Sequence, residues 1–395
     1  MRLWIESAYQ TVSTAGRPGD IVRTFQTEEQ FVALVASQTW PVEQGGALAA
    51  NGRSPVDLIA TQALSGLAQG LPFEGVVEDL LAALPAGQHV PIAIVQIRGG
   101  CQTCIVECDA PPLFIVRGGL FVLLPVIEEE RYGRLVRRCE FVLQDGDYLA
   151  MVSEGYLHAA GWDRRVGWRN IAVSIRRLTG TRCDAEQLAE ALGRLANQRI
   201  SKSANQQISK SAIPNTQYPI SILAMFVRPM RTATVWSGPP GRRAVEREVL
   251  EKLLAEPGTR VICGDTTAEI AARLLEVGLT LEPRPADGWV EVPPVSYLAG
   301  AMARIDLITE GVVTLGVARG RIAGAKSVRD LPRQEDGATR LARLLLTADK
   351  ISFLIGTAVN PAQTAPDGVP WRRIMIEKLL DDLKARGKLV SVEYL

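Results

Sequence analysis

The sequence predicts two architectures in series, an α+β layered domain followed by a smaller α/β domain. Two observations carry this. Between residues 90 and 153, short β-branched and apolar runs follow one another closely, separated by turn residues, with helical patterns grouped on either side. From residue 243 onward, helix and strand patterns alternate instead. The chain has 395 residues. At roughly 150 residues per domain that suits two or three domains. Hydrophobic residues make up 47%, ample for a sizeable core in each.

The elements follow in order. Residues 55–69 read as a helix with Ser54 as its cap and Pro55 at the first helical position. Strands are expected at 90–97, 103–107, 113–117, 119–124 and 148–153. Gly99 and Gly100, Pro111 and Pro112, Gly118 and Gly119, and Asp145 and Gly146 supply the turns between them. Residues 185–197 place Leu188, Leu192 and Leu195 on one helical face. Residues 197–212 repeat an octapeptide, NQRISKSA then NQQISKSA, and read as an exposed loop insertion. The alternative is a helix extension, since Ile200 and Ile208 are eight apart. Residues 219–227 form one more strand, and 228–240 read as a hinge. Beyond it, helices are expected at 243–255, 266–276, 337–348 and 371–386, with strands at 259–263, 351–355 and 388–394.

Charge and composition exclude several classes. Lys plus Arg is 44 against 43 for Asp plus Glu, a net charge of +1. Such a chain has no global field for nucleic acid or an anionic membrane. Its longest apolar runs, such as 119–127, are far too short to span a bilayer. The first ten residues lack a basic region followed by an apolar stretch, so a cytoplasmic location is expected. Six cysteines are too few for a disulfide framework. With only His89 and His158, chemistry must lean on carboxylates, hydroxyls and backbone.

Several blocks resemble a known family. GDYLAMVSEGYLHAAGWDRRVGW at 146–168 is similar to the "GD…vSDG…HAG…GW" segment of the sporulation stage II protein E branch of metal-dependent, 2C-class serine/threonine phosphatases. RPGD at 17–20 and VECDAPPLFIVRGG at 106–119 resemble further blocks of that family, in the right order. TVWSGPP at 234–240, VICGDTTAEIAARLL at 261–275, IDLITEGVVTL at 305–315 and ADKISFLIGTAVNPA at 348–362 resemble an extra domain found in some bacterial members. The resemblance implies an α-β-β-α sandwich over 1–230, with the repeat as an insertion, and an α/β domain over 231–395. It also implies two Mg²⁺ or Mn²⁺ ions, held by carboxylates at one sandwich end, activating water for attack on a phosphoester.

The ligand blocks depart from the family pattern. Ser37 and Gln38 stand where the family has a bridging Asp followed by Gly. A neutral hydroxyl cannot replace a carboxylate between two dications. The "SDG" block is Ser153, Glu154 and Gly155, and the longer Glu would displace an octahedral metal by about 1 Å. The last acidic block is replaced by Pro214, Asn215, Thr216 and Gln217. Only Asp20 and Glu154 remain as metal candidates. The reading is therefore a pseudophosphatase with no catalytic residue and no cofactor, acting as a regulatory or binding module toward a phosphoprotein or regulatory partner. One rival is an active Mg²⁺- or Mn²⁺-dependent phosphatase with a rebuilt site, including a single-metal version using Asp20, Glu154 and either Asp147 or Asp163. The other is a small-ligand sensor working through the C-terminal domain.

Other constellations have two readings each. Cys101, Cys104 and Cys108 have a metal-ligand spacing, or are ordinary core and surface thiols. Gly264, Asp265, Thr266 and Thr267 lie between a strand and a helix, where an anion site or simple capping by Asp265 or Thr266 is expected. Asp306, Thr309, Glu310 and Gly311 form a second polar group, and Thr357 with Asn360 a third. All three are expected beyond the carboxyl ends of strands, where α/β sheets bind ligands, or else as turns and caps. His158, Trp162 and Trp168 read as framework, and Arg164, Arg165, Arg242, Arg243 and Arg247 as solvated surface.

Overall fold

The computed structural model describes residues 2–12, 20–37, 54–85, 87–158, 164–181, 183–206, 219–283, 292–299, 305–358, 364 and 369–395. The chain divides into two compact units, Met1–Pro229 and Met230–Leu395.

The first unit opens with β1 (Leu3–Val12), β2 (Ile21–Gln26) and β3 (Gln30–Ala36), then α1 (Pro55–Ala68) and α2 (Phe73–Ala83). There follow β4 (Ile92–Arg98), β5 (Gln102–Cys108), β6 (Phe114–Arg117), β7 (Leu120–Phe121), β8 (Ile127–Arg131), β9 (Arg134–Val142) and β10 (Tyr148–Val152). The unit closes with α3 (Glu154–His158), α4 (Arg164–Thr179), α5 (Ala185–Gln206) and β11 (Ile220–Pro229). Two antiparallel sheets result, in the orders β1-β11-β10-β6-β7 and β2-β3-β4-β5-β9-β8.

Strand alternation sorts the side chains into three cores. Ile5, Val35, Val95, Ile105, Ile115, Leu149, Met151 and Leu223 fill the space between the sheets. Val32, Leu34, Ile92, Ile94 and Val106 turn to the other side and meet α1 and α2. Phe114, Ala150, Val152 and Ala224 meet α3, α4 and α5. These are the four layers of an α-β-β-α sandwich. Ser54 caps α1 as expected, accepting the Asp57 N–H at 3.1 Å.

Three local expectations are corrected. Only Leu120–Phe121 of the strand expected at 119–124 pairs, because Gly118 and Gly119 turn with positive φ and β7 is a sheet edge. The loop expected at 197–212 is helix as far as Gln206, so α5 continues through the first repeat; residues 207–212 lie outside the described residues. The hinge expected at 228–240 contains a central strand of the second unit, because Thr232–Ser237 is rich in β-branched residues and buried from Ala233 onward.

That unit contains β12 (Thr232–Ser237), α6 (Glu246–Ala255), β13 (Thr259–Cys263), α7 (Asp265–Leu275), β14 (Gly278–Leu281), β15 (Ser296–Ala299) and β16 (Leu307–Thr309). It continues with α8 (Val312–Gly324), α9 (Gly337–Thr347), β17 (Lys350–Ile355), α10 (Trp371–Ala385) and β18 (Leu389–Tyr394). Its sheet runs β14-β15-β16-β13-β12-β17-β18. The last five are parallel, so in chain order the parallel strands lie third, second, first, fourth, fifth. Helices α6 and α7 cover Trp236, Ile262, Ile308 and Leu354 on one face. Helices α8, α9 and α10 cover Val235, Val261, Ile351 and Phe353 on the other. The sheet is doubly wound.

Candidate functional site

At one end of the sandwich, β3 and β10 finish and β2 begins. Ile21 pairs with Ala36, which sets Asp20 across from Ser37. The Ser37 N–H donates to the Pro91 carbonyl at 2.8 Å. Ser153 is buried, its N–H donating to the Ser221 carbonyl and its Oγ accepting the Ser221 N–H, both at 2.9 Å. Ser37 and Ser153 line one small cavity with Val35, Ala93, Glu107 and Leu113, about 10 Å³, roughly room for one water.

Three carboxylates near this end, Glu154, Asp109 and Glu107, are engaged. Glu154 opens α3, and its Oε2 lies 2.9 Å from Nε2 of His89. Nδ1 of the same ring lies 3.6 Å from Oδ2 of Asp109, a left-handed residue in the turn after β5. Arg134 lies 3.6 Å from that Asp109 oxygen as well. Glu107 is 5% exposed, and burial pushes its carboxyl up from the usual range. Arg137 at 2.9 Å and the Leu113 N–H at 2.7 Å act against that shift.

A two-metal centre needs bridging carboxylates. Here Ser37 offers a hydroxyl, Glu154 holds His89, and Glu107 is neutralised by Arg137. Among the described residues, with Asp20 as the remaining candidate, this donor set does not fit two hard dications. Asp147 is withdrawn from the single-metal alternative. It is fully buried, clasped by Arg117 through Nε at 2.8 Å and Nη2 at 2.7 Å, and it precedes β10 while Glu154 follows it. Asp163, Gln38 and 214–217 lie outside the described residues.

His89 and Asp109 are the residues that sequence reasoning missed. His89 stands 65 positions from Glu154, and no local pattern joins them. Asp109 lies inside the 106–119 block, whose pattern does not single it out.

The cysteines are dispersed. Cys104 and Cys108 face the α1–α2 core, and burial pushes each thiol up to about 11. Cys139 faces the core between the sheets, and Cys101 sits in the turn before β5. Cys104 does gather Glu74 and Glu140 within 4.8 Å, but Arg138 already bonds to both carboxylates.

In the second unit, the polar groups separate. Asp306 lies at the amino end of β16, its Oδ2 accepting the Arg260 N–H at 2.7 Å, so the expectation that it joins Glu310 is corrected. The three-residue strand between them spans roughly 10 Å. Glu310 caps α8, accepting the Thr314 N–H at 3.1 Å. Thr309 donates to the Cys263 sulfur at 3.5 Å. The first residue outside α7 is Gly264, and no side chain caps that helix, so neither Asp265 nor Thr266 does the capping expected of them. Gly264 and Thr267 stand at the carboxyl end of β13, with exposed Asp265 and Thr266 between them. Asn360 lies outside the described residues.

No family model matches the chain, and no curated protein matches it. Solved structures do. The chain is similar to the phosphatase domain of the cell fate determinant SpoIIE from Bacillus subtilis, at 11% identity and a TM-score of 0.39, covering 57% of this chain and 93% of that one. It is similar to the RsbU and RsbW domains of Rv1364c from Mycobacterium tuberculosis at 16% identity and a TM-score of 0.41, covering 70% and 75%. It is also similar to the catalytic domain of the serine/threonine protein phosphatase PstP in complex with two manganese ions, at 10% identity and a TM-score of 0.38, covering 57% and 100%. Among the described residues, no helix is long and apolar enough to cross a membrane.

Proposed function

We propose that residues 1–229 are a regulatory or binding module built on a 2C-phosphatase-type sandwich, and that two-metal phosphoester hydrolysis is lost from it. The observation that carries this reading is the engagement of Glu154 by His89 at 2.9 Å, at a strand end where Ser37 supplies a hydroxyl. A dication arriving there would have to displace the imidazole and would still lack its bridging ligand. The partner this implies is a regulatory protein or phosphoprotein that reads the sandwich surface without being hydrolysed.

The test is calorimetric titration with Mn²⁺, paired with hydrolysis of an aryl phosphate and a phosphoserine peptide by the full chain. The expected result is no Mn²⁺-dependent turnover. Turnover that requires Mn²⁺ and disappears in Asp20→Ala and Glu154→Ala would overturn the reading and establish a rebuilt metal site.

A further inference from the structure

The doubly wound sheet of the second unit has a topological switch point. β12 is flanked by β13 on one side and β17 on the other, with α6 and α7 on one face and α10 on the opposite face. Sheets of this kind open a crevice beyond the carboxyl ends of the strands at that point.

Three glycines come together beyond the carboxyl ends of β12, β13 and β16. A methyl group on Gly264 would lie 3.1 Å from Thr267 Oγ1 and 4.0 Å from the Gly238 nitrogen. One on Gly311 would lie 3.5 Å from the Gly264 Cα. Gly238 and Gly264 both have positive φ, +85° and +132°, so these positions exclude side chains on two counts.

The groups around these glycines are hydrogen-bond donors. Helix α7 has eleven residues and no side-chain cap, so its first N–H groups have no intrahelical partner. Thr267 is 0% exposed and turns its hydroxyl back beside Gly264, and that hydroxyl has no hydrogen-bond partner among the described residues. Ser237, the last residue of β12, is equally buried, and its Oγ is likewise unpartnered among the described residues. Leaving such hydroxyls unsatisfied is destabilising, and a ligand that bonds to them relieves the cost. Opposite them, Arg372 in the first turn of α10 lies over Gly238. A methyl group there would sit 2.2 Å from its Cζ. The guanidinium bonds only to carbonyls, those of Gly356 at 3.0 Å and Ala358 at 3.1 Å, and has no acidic partner among the described residues. Burial pushes its pKa down, as an uncompensated cation requires.

We infer that this crevice binds the phosphoryl group of a small molecule, with the Arg372 guanidinium, the Thr267 hydroxyl and the amino end of α7 as its donors. Hydroxyl, backbone and guanidinium donors approach from different elements, an arrangement suited to a tetrahedral oxyanion. Two carboxylates stand near. Glu310 is spent on capping α8. Asp265 is exposed at the first position of α7 and opposes the anion. This inference concerns the second unit alone and does not rest on the reading of the first.

The experiment is titration of the full chain with inorganic phosphate and, separately, adenosine 5′-monophosphate, followed by calorimetry and ³¹P line broadening. Tighter binding of the ester assigns the site to a phosphorylated metabolite, and equal binding assigns it to the phosphoryl group alone. Either supports the inference. Arg372→Gln and Thr267→Val are each expected to weaken binding about tenfold or more. Thr267→Val removes an unsatisfied hydroxyl, so its melting temperature holds or rises, which separates lost binding from lost folding. Asp265→Asn is expected to tighten binding about threefold. No binding of either probe, or binding that these variants leave unchanged, would overturn the inference.

Discussion

Asp336 shows what one residue does in the second unit. It precedes α9 and caps it, accepting the Thr339 N–H at 2.8 Å, while pairing with Arg321. Both charged side chains are nearly buried, at 7% and 11% exposure. Burial alone would raise the Asp336 carboxyl, but the Arg321 guanidinium and the Thr339 amide outweigh it and hold the pKa below 3.8. A folded pKa below the unfolded one stabilises the protein above pH 3.8, and the contribution is lost as pH falls through the lower folded value. Asp336→Ala removes the cap and strands Arg321, an expected cost of about 3 kcal/mol by urea denaturation at neutral pH. Asp336→Asn keeps the cap and costs less, about 1–2 kcal/mol. Both variants flatten the acid limb of the stability profile. An Ala variant as stable as the parent at neutral pH would contradict this.

At the scale of elements, α5 lies on β1 and β11 across a row of small side chains. Ala8, Ala224 and Ala150 stand opposite one another on three neighbouring strands. All three belong to the core that Ala189, Leu192 and Ala196 of α5 enter. A methyl group on Gly193 would come within 3.5 Å of Gln10 Cβ, so the helix approaches β1 closely. Ala224 is 0% exposed. Ala224→Leu would therefore push α5 off the sheet, with an expected loss of about 1–3 kcal/mol, while Leu192→Met at the same interface costs under about 1.5 kcal/mol. Urea midpoints for the two variants check the contrast. This packing also shows what a sequence can and cannot disclose. The α1 cap was legible because Ser54, Pro55 and Asp57 are neighbours in the chain. The α5 face was legible from Leu188 and Leu192, yet nothing local said that its partner β1 begins the chain and pairs with β11, the two being about 210 residues apart. The candidate sites divide in the same way. Glu154 and Gly264 stand in recognisable blocks. His89 reaches Glu154 from a distant element, as Arg372 reaches Gly238 beside Gly264, and a lone histidine or a helical arginine carries no signal until the fold places it.

At the scale of the whole molecule, each of the five buried apolar clusters among the described residues draws on one unit. Three serve the sandwich and two serve the doubly wound sheet. Each unit has its own core, and two unfolding transitions are expected. Tryptophans report on both, Trp4 in the first unit and Trp236 in the second, each buried. Urea denaturation followed by fluorescence should thus be biphasic, with Ala224→Leu moving one midpoint and Asp336→Ala the other. Phosphate then becomes a third probe. A ligand of the native crevice stabilises only the unit that holds it, by about 1.4 kcal/mol at ten times its Kd. The transition that phosphate shifts should be the one that Asp336→Ala shifts, and Arg372→Gln should abolish the ligand's effect. A single transition, moved alike by both core variants, would mean the units fold as one cooperative body. A shift of the sandwich transition by phosphate would place the oxyanion in the first unit instead, and so count against the crevice.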